Sequence, residues 1–107
     1  MAQTHEAHVY IPDDLREKIP PLYATENTPN PTAWVKLFTP DSSWTWYITE
    51  YDGEDRCFGY VVGHEAELGY FSLQELTAVA GPFGLRVERD LFFSPTPLEN
   101  IKAGKSR

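Results

Sequence analysis

The sequence predicts an α+β fold: an antiparallel meander of about four to five strands, a capped helix packed on one sheet face, and a short N-terminal helix. Three observations predict it. Apolar and polar residues alternate with period two in short runs between residues 33 and 71. Asp52-Gly53 separates two of those runs, the strongest short-range hairpin signal a sequence carries. The period then switches after Ser72, whose spacing to Glu75 is that of a capping box. A chain of 107 residues is sized for one domain with one modest core.

The elements follow in order. Residues 1–11 carry no periodic pattern and read as a flexible N-terminal extension. From Pro12 the chain reads as a short helix: proline suits an early helical position, Asp13 and Asp14 suit the positive end of the dipole, and Leu15 and Ile19 share a face. Pro20 and Pro21 stop it. Residues 24–32 are a turn-rich connection. In 33–39, Val35 and Leu37 point one way, and Trp34, Lys36 and Phe38 the other. The run 44–51 places Trp44, Trp46, Ile48 and Glu50 on an expected core face. It leaves Thr45, Tyr47, Thr49 and Tyr51 on a face expected to be half exposed. Strands are expected over 56–63 and, shorter, from Glu67. A helix over 72–81 would bury Leu73, Leu76 and Ala80 and end at Gly81-Pro82. A last strand over 85–93 would turn Leu85, Val87 and Leu91 inward. The single domain is thus expected over 12–98, with 99–107 a basic C-terminal tail.

Charge narrows the function classes. The chain holds 16 acids against 9 bases, a net −7, and three of those bases are Lys102, Lys105 and Arg107 at its end. An acidic body repels phosphate, so direct nucleic-acid binding is disfavoured; solubility or a basic partner is favoured. The lone Cys57 precludes an intrachain disulfide and points to a reducing, cytoplasmic setting. No apolar run is long enough for a signal peptide or a membrane span.

Candidate chemistry is thin. His5 and His8 flank Glu6 at a spacing that shares a helix face, but with no third ligand. His64 with Glu65 offers a base beside a carboxylate, and Cys57 offers a thiol; either would serve a small enzyme or enzyme accessory domain. Each has a plainer reading, an exposed turn for His64 and a small buried residue for Cys57. Ser42 and Ser43 cap a turn and lack a nucleophile elbow. No cofactor or metal is implied, and no residue is assigned a catalytic role. What stands out is acid: Asp52, Glu54 and Asp55 at one hairpin tip, and Glu65 and Glu67 near another turn. With Tyr47 and Tyr51 beside the first tip, these seven are the expected partner-binding residues, since tyrosine is favoured at interfaces and acids steer basic partners.

The segments KIPPLYATE, VKLFTPDSSWTWYITEYD, ELGYFSLQEL and GPFGLRVERDLFFSPTPL occur in that order. Over roughly residues 12–98 they resemble a family of small bacterial proteins known only as a domain of unknown function. Members of that family resemble accessory proteins of plasmids, integrative elements and phages. The resemblance implies no catalytic residues. It implies a mobile-element role: a non-catalytic protein that binds another protein, an inhibitor of a host defence complex of anti-CRISPR or antirestriction type. A third reading is a structural module that dimerises through an open sheet edge.

Overall fold

The computed structural model describes residues 10–104. Its centre is a five-stranded antiparallel sheet in the order β5-β4-β3-β2-β6, made of β2 (Val35–Phe38), β3 (Thr45–Tyr51), β4 (Arg56–Val62), β5 (Ala66–Ser72) and β6 (Glu88–Arg89). A two-stranded sheet pairs β1 (Thr32–Ala33) with β7 (Thr96–Pro97). Three short helices complete the domain: α1 (Asp13–Arg16), α2 (Leu73–Leu76) and α3 (Leu98–Lys102). The α+β class and the meander read from the alternation are those of the structure, and Asp52-Gly53 lies in the β3–β4 hairpin loop.

Both faces of the sheet are covered over its central strand β3, while β5 at its edge is largely exposed. On one, Val35, Leu37, Trp46, Ile48, Tyr51 and Cys57 pack with Tyr10, Ile11, Ile19, Leu73, Leu76 and Val87. On the other, Tyr47 packs with Ala33, Leu98 and Ile101, flanked by Tyr60, Val62 and Phe93. This second layer corrects the expected domain bounds. Leu98 and Ile101, assigned to the domain's last residue and to a tail, form the buried side of α3, with Leu98 N–H bonded to Pro31 O at 2.8 Å. Tyr10 and Ile11, placed in the extension, are 1% exposed in the core.

A β-bulge explains why the faces of β3 differ from the simple alternation. Ile48 pairs with Gly59, but Glu50 pairs with Phe58, so one extra residue shifts the phase between them. Tyr51 thereby joins the face of Trp46 and Ile48, and Glu50 passes to the other side. The half-exposed face expected for Tyr47 and Tyr51 is therefore corrected: they are 8% and 4% exposed, one under α3 and the other in the main core. Trp44, expected in the core, is instead 37% exposed.

Two other elements are shorter than their patterns suggest. The capping box forms, with Ser72 Oγ accepting the Glu75 N–H at 3.2 Å, and Leu73 and Leu76 are buried. Yet α2 ends after one turn, because Ala80 bridges to Arg86 and Gly81 N–H bonds Leu85 O at 2.9 Å, closing a tight GPFG loop. Ala80 is consequently exposed. The last strand is limited by its neighbour: β2 offers Phe38 and Leu37 to Glu88 and Arg89, and the Asp90 carboxylate then accepts the Phe92 N–H at 2.9 Å and turns the chain. Only Val87 of the three expected inward residues is buried; Leu85 and Leu91 are exposed.

Candidate functional site

The acids of the β3–β4 hairpin are occupied by the backbone. Asp52 Oδ1 accepts the N–H groups of Glu54, Asp55 and Arg56 at 2.8, 2.7 and 3.1 Å. Desolvation pushes its pKa up, but those three bonds and the Arg56 charge outweigh it, and the carboxyl sits below its usual range. Asp55 caps α2: Oδ1 accepts Gln74 N–H at 2.7 Å, Oδ2 accepts the Ser72 hydroxyl, and its carbonyl accepts Leu73 N–H. Of the tip acids, Glu54 has no such role among the described residues. Glu65 and Glu67 lie at the opposite end of β4, a seven-residue strand, so on the order of 20 Å separates the two groups. The seven expected contact residues therefore do not form one patch: two are buried tyrosines, three sit at one tip, and two sit at the other end.

Glu50 has a structural task the sequence did not announce. It is 2% exposed and accepts the N–H groups of Tyr23 and Thr25 at 2.7 and 2.9 Å, together with the Thr25 hydroxyl. It thereby holds residues 20–28, which lead from α1 toward β1 and include Tyr23 at φ 72°, against the sheet. Glu50 also lines a cavity of about 280 Å³ with Phe58, Tyr70 and Lys102.

The enzyme candidates separate in space. Cys57 is fully buried near the start of β4, and burial first, then the Asp52 and Asp55 charges, push its thiol far above its ordinary range. His64 lies beyond the far end of the same strand. His5 and His8 lie outside the described residues. Among the described residues no group of three or more His, Cys, Asp or Glu is placed to hold a metal ion, and no helix is long and apolar enough to cross a membrane.

A groove does form where α2 stops short. It has a volume of about 640 Å³, with Trp44, Trp46, Val79, Ala80 and Pro82 as its apolar walls and Asp41, Ser42 and His64 among its polar groups. Trp44 is braced on three sides: its ring stacks on Trp46 at 6.0 Å, meets His64 edge-on at 5.8 Å, and lies over Gly63, where an added Cβ would fall 2.4 Å from the indole. The far wall is pinned by Asp41, whose Oδ2 accepts Phe83 N–H at 2.7 Å and Leu85 N–H at 3.4 Å. Its Oδ1 is buried without a hydrogen-bond partner among the described residues, pressed so close to Gly81 that any side chain there would collide with it. Ser42 Oγ shares a hydrogen bond with the Thr39 hydroxyl and accepts Trp44 N–H at 3.2 Å. These polar groups hold the loops, and what the groove offers outward is mainly aromatic and apolar surface.

The groove continues along β5. Trp44 and His64 also line a second depression, of about 520 Å³, with Val61, Glu65, Glu67 and Gly69. The register explains why: Trp46, Val61 and Glu67 lie on one rung and Ile48, Gly59 and Gly69 on the next, and Gly69, with nothing within 4 Å of where a side chain would begin, leaves the trough open. Phe83, at the tip of the GPFG loop, is 84% exposed. Sequence reading missed Trp44 and this loop as a joint surface. The available signal was the pairing of PDSSW with GPFG, two turns that meet only in three dimensions.

No curated protein and no solved structure matches the chain. A family model described as "Protein of unknown function (DUF2958)" matches residues 11–101. That span takes in the pinned turn, both trough strands, the GPFG loop and the α3 layer, and the chain belongs to this family.

Proposed function

We propose that the chain is a non-catalytic binding module that docks another protein on the Trp44 groove, with Glu65 and Glu67 at its margin favouring a basic partner. The observation that carries the reading is Trp44 itself. A large indole is held outward in a fixed seat, at the mouth of an apolar groove where Asp41 Oδ2 and Ser42 Oγ accept backbone N–H groups of its loops. Rigid, partly exposed tryptophans surrounded by apolar surface are the side chains that carry most energy at protein interfaces. The net charge of −7 suits a partner with a basic surface, such as a nucleic-acid-binding complex. The role in a mobile element, and inhibition of a host defence complex, are part of the proposal and rest on the resemblance and on this charge.

The test is affinity capture from a host lysate with defence systems expressed, using the wild-type chain and Trp44→Ala. The expected result is a protein enriched by the wild type and depleted at least tenfold with Trp44→Ala. Capture indifferent to Trp44, or no enrichment from any lysate, would overturn the reading.

A further inference from the structure

The trough beside the groove ends at a strand whose outer edge is open among the described residues. β5 is the terminal strand of the sheet, and its partner β4 lies on one side only. The phase of the ladder is fixed at both ends: Gly63 N–H bonds Glu65 O at 3.0 Å, and Leu73 N–H bonds Asp55 O at 3.0 Å. Hydrogen-bonded and non-hydrogen-bonded pairs alternate in an antiparallel ladder. The odd-numbered residues of β5 therefore bond β4, and Ala66, Leu68 and Tyr70 turn their N–H and C=O groups to the open edge. Among the described residues nothing bonds them.

The edge has a charge signature. Residues 65–72 hold Glu65 and Glu67 and no lysine or arginine, and neither glutamate has an ion-pair partner among the described residues. Glu67 shares its face with Val61 and Trp46, and the next position on that face, Gly69, has nothing within 4 Å of where a side chain would begin. A second copy of β5 would bring acids and no base to the pairing, between two chains that each carry −7. A strand with basic side chains at alternate positions would instead set them across from Glu67 and over the open floor at Gly69, within reach of the Trp44 ring.

We infer that β5 accepts an extended basic segment of the partner as a sixth strand, its lysine or arginine side chains lying in the Glu67–Gly69 trough against Trp44. Backbone pairing supplies the docking and the acidic trough selects the sequence, the mode known as strand addition. The inference rests on the protein-binding reading and names the chemistry of the partner.

The experiment uses the full chain and three capped heptapeptides that alternate valine with arginine, citrulline or glutamate, followed by amide hydrogen exchange and NMR. The arginine peptide should slow exchange at Ala66, Leu68 and Tyr70 at least tenfold and bind at least tenfold more tightly than the citrulline peptide. Glu67→Lys, an exposed substitution, should transfer the preference to the glutamate peptide. Leu68→Pro, which removes an outward N–H from an edge strand, should abolish protection. Equal binding of all three peptides, binding without protection of those amides, or no binding overturns the inference. So does protection without peptide that grows with protein concentration, which would assign the edge to a second copy. Each of these results leaves the Trp44 dependence of capture intact, so the two readings fail separately.

Discussion

Replacing Glu50 with alanine tests whether the buried carboxylate organises the domain's N-terminal third. The side chain is 2% exposed, and its removal strands two backbone N–H groups and one hydroxyl. Hydrogen bonds to a charged acceptor contribute about 1.5–3 kcal/mol each, so the gross loss is roughly 5–9 kcal/mol. Two terms reduce it. The 20–28 connection is largely at the surface and regains water when it swings out, and the desolvation cost of a buried carboxylate disappears. The expected net cost is about 3 kcal/mol, a fifth or more of the ~5–15 kcal/mol stability of a domain. That corresponds to a fall in Tm of roughly 12 °C or more. Urea unfolding followed by tryptophan fluorescence reads it as a lower midpoint at unchanged slope. Thr25→Ala should be less costly and should couple to Glu50→Ala by at least ~0.5 kcal/mol in a double-mutant cycle. A loss under about 1 kcal/mol, or strict additivity with Thr25→Ala, would show that Glu50 does not organise this segment.

Three further outcomes are expected. Cys57 should resist alkylation of the folded protein and react in proportion to the unfolded fraction as urea is added; reaction at the rate of a free thiol in buffer would contradict its burial. Gly63→Ala should expel the Trp44 ring from its seat, red-shifting the emission and abolishing partner capture at a stability cost under about 1.5 kcal/mol; unchanged emission and capture would show that the seat is not needed. Asp52 has a folded pKa below its ordinary 3.8, so its contribution is present above that value and lost as the pH falls through the folded value. The Tm gap between wild type and Asp52→Asn should therefore be wide at pH 7 and narrow on acidification below 3.8; a gap constant with pH would sink that assignment.

The meander was legible because its signals are local. Alternation, the Asp-Gly turn and the Ser72–Glu75 cap each act over a few residues, and their strands and cap occur where expected. What was not legible depends on partners distant in sequence. The bulge at Ile48/Glu50 is set by the β3–β4 pairing, and no pattern within residues 44–51 shows that Tyr51 belongs with Trp46 or that Glu50 reaches Tyr23 and Thr25. Tyr47 reads as half exposed because residues 94–102, broken by Pro95 and Pro97, give no local sign that they return as β7 and α3 over that face. The same distance effect governs the site. Asp52 and Asp55 looked like free surface charge, but they cap a turn and a helix. Trp44 looked like core until α2 proved to be one turn long and the GPFG loop was pinned by Asp41.

We propose that the Trp44 groove and the β5 trough together form the protein's contact surface. Amide hydrogen exchange on the chain alone and in complex with its captured partner tests it most directly. Slowed exchange is expected at residues 41–44, 63–70 and 80–85, with no change at the Asp52–Asp55 tip. Protection confined to that tip, or to α3 on the opposite face, would contradict it.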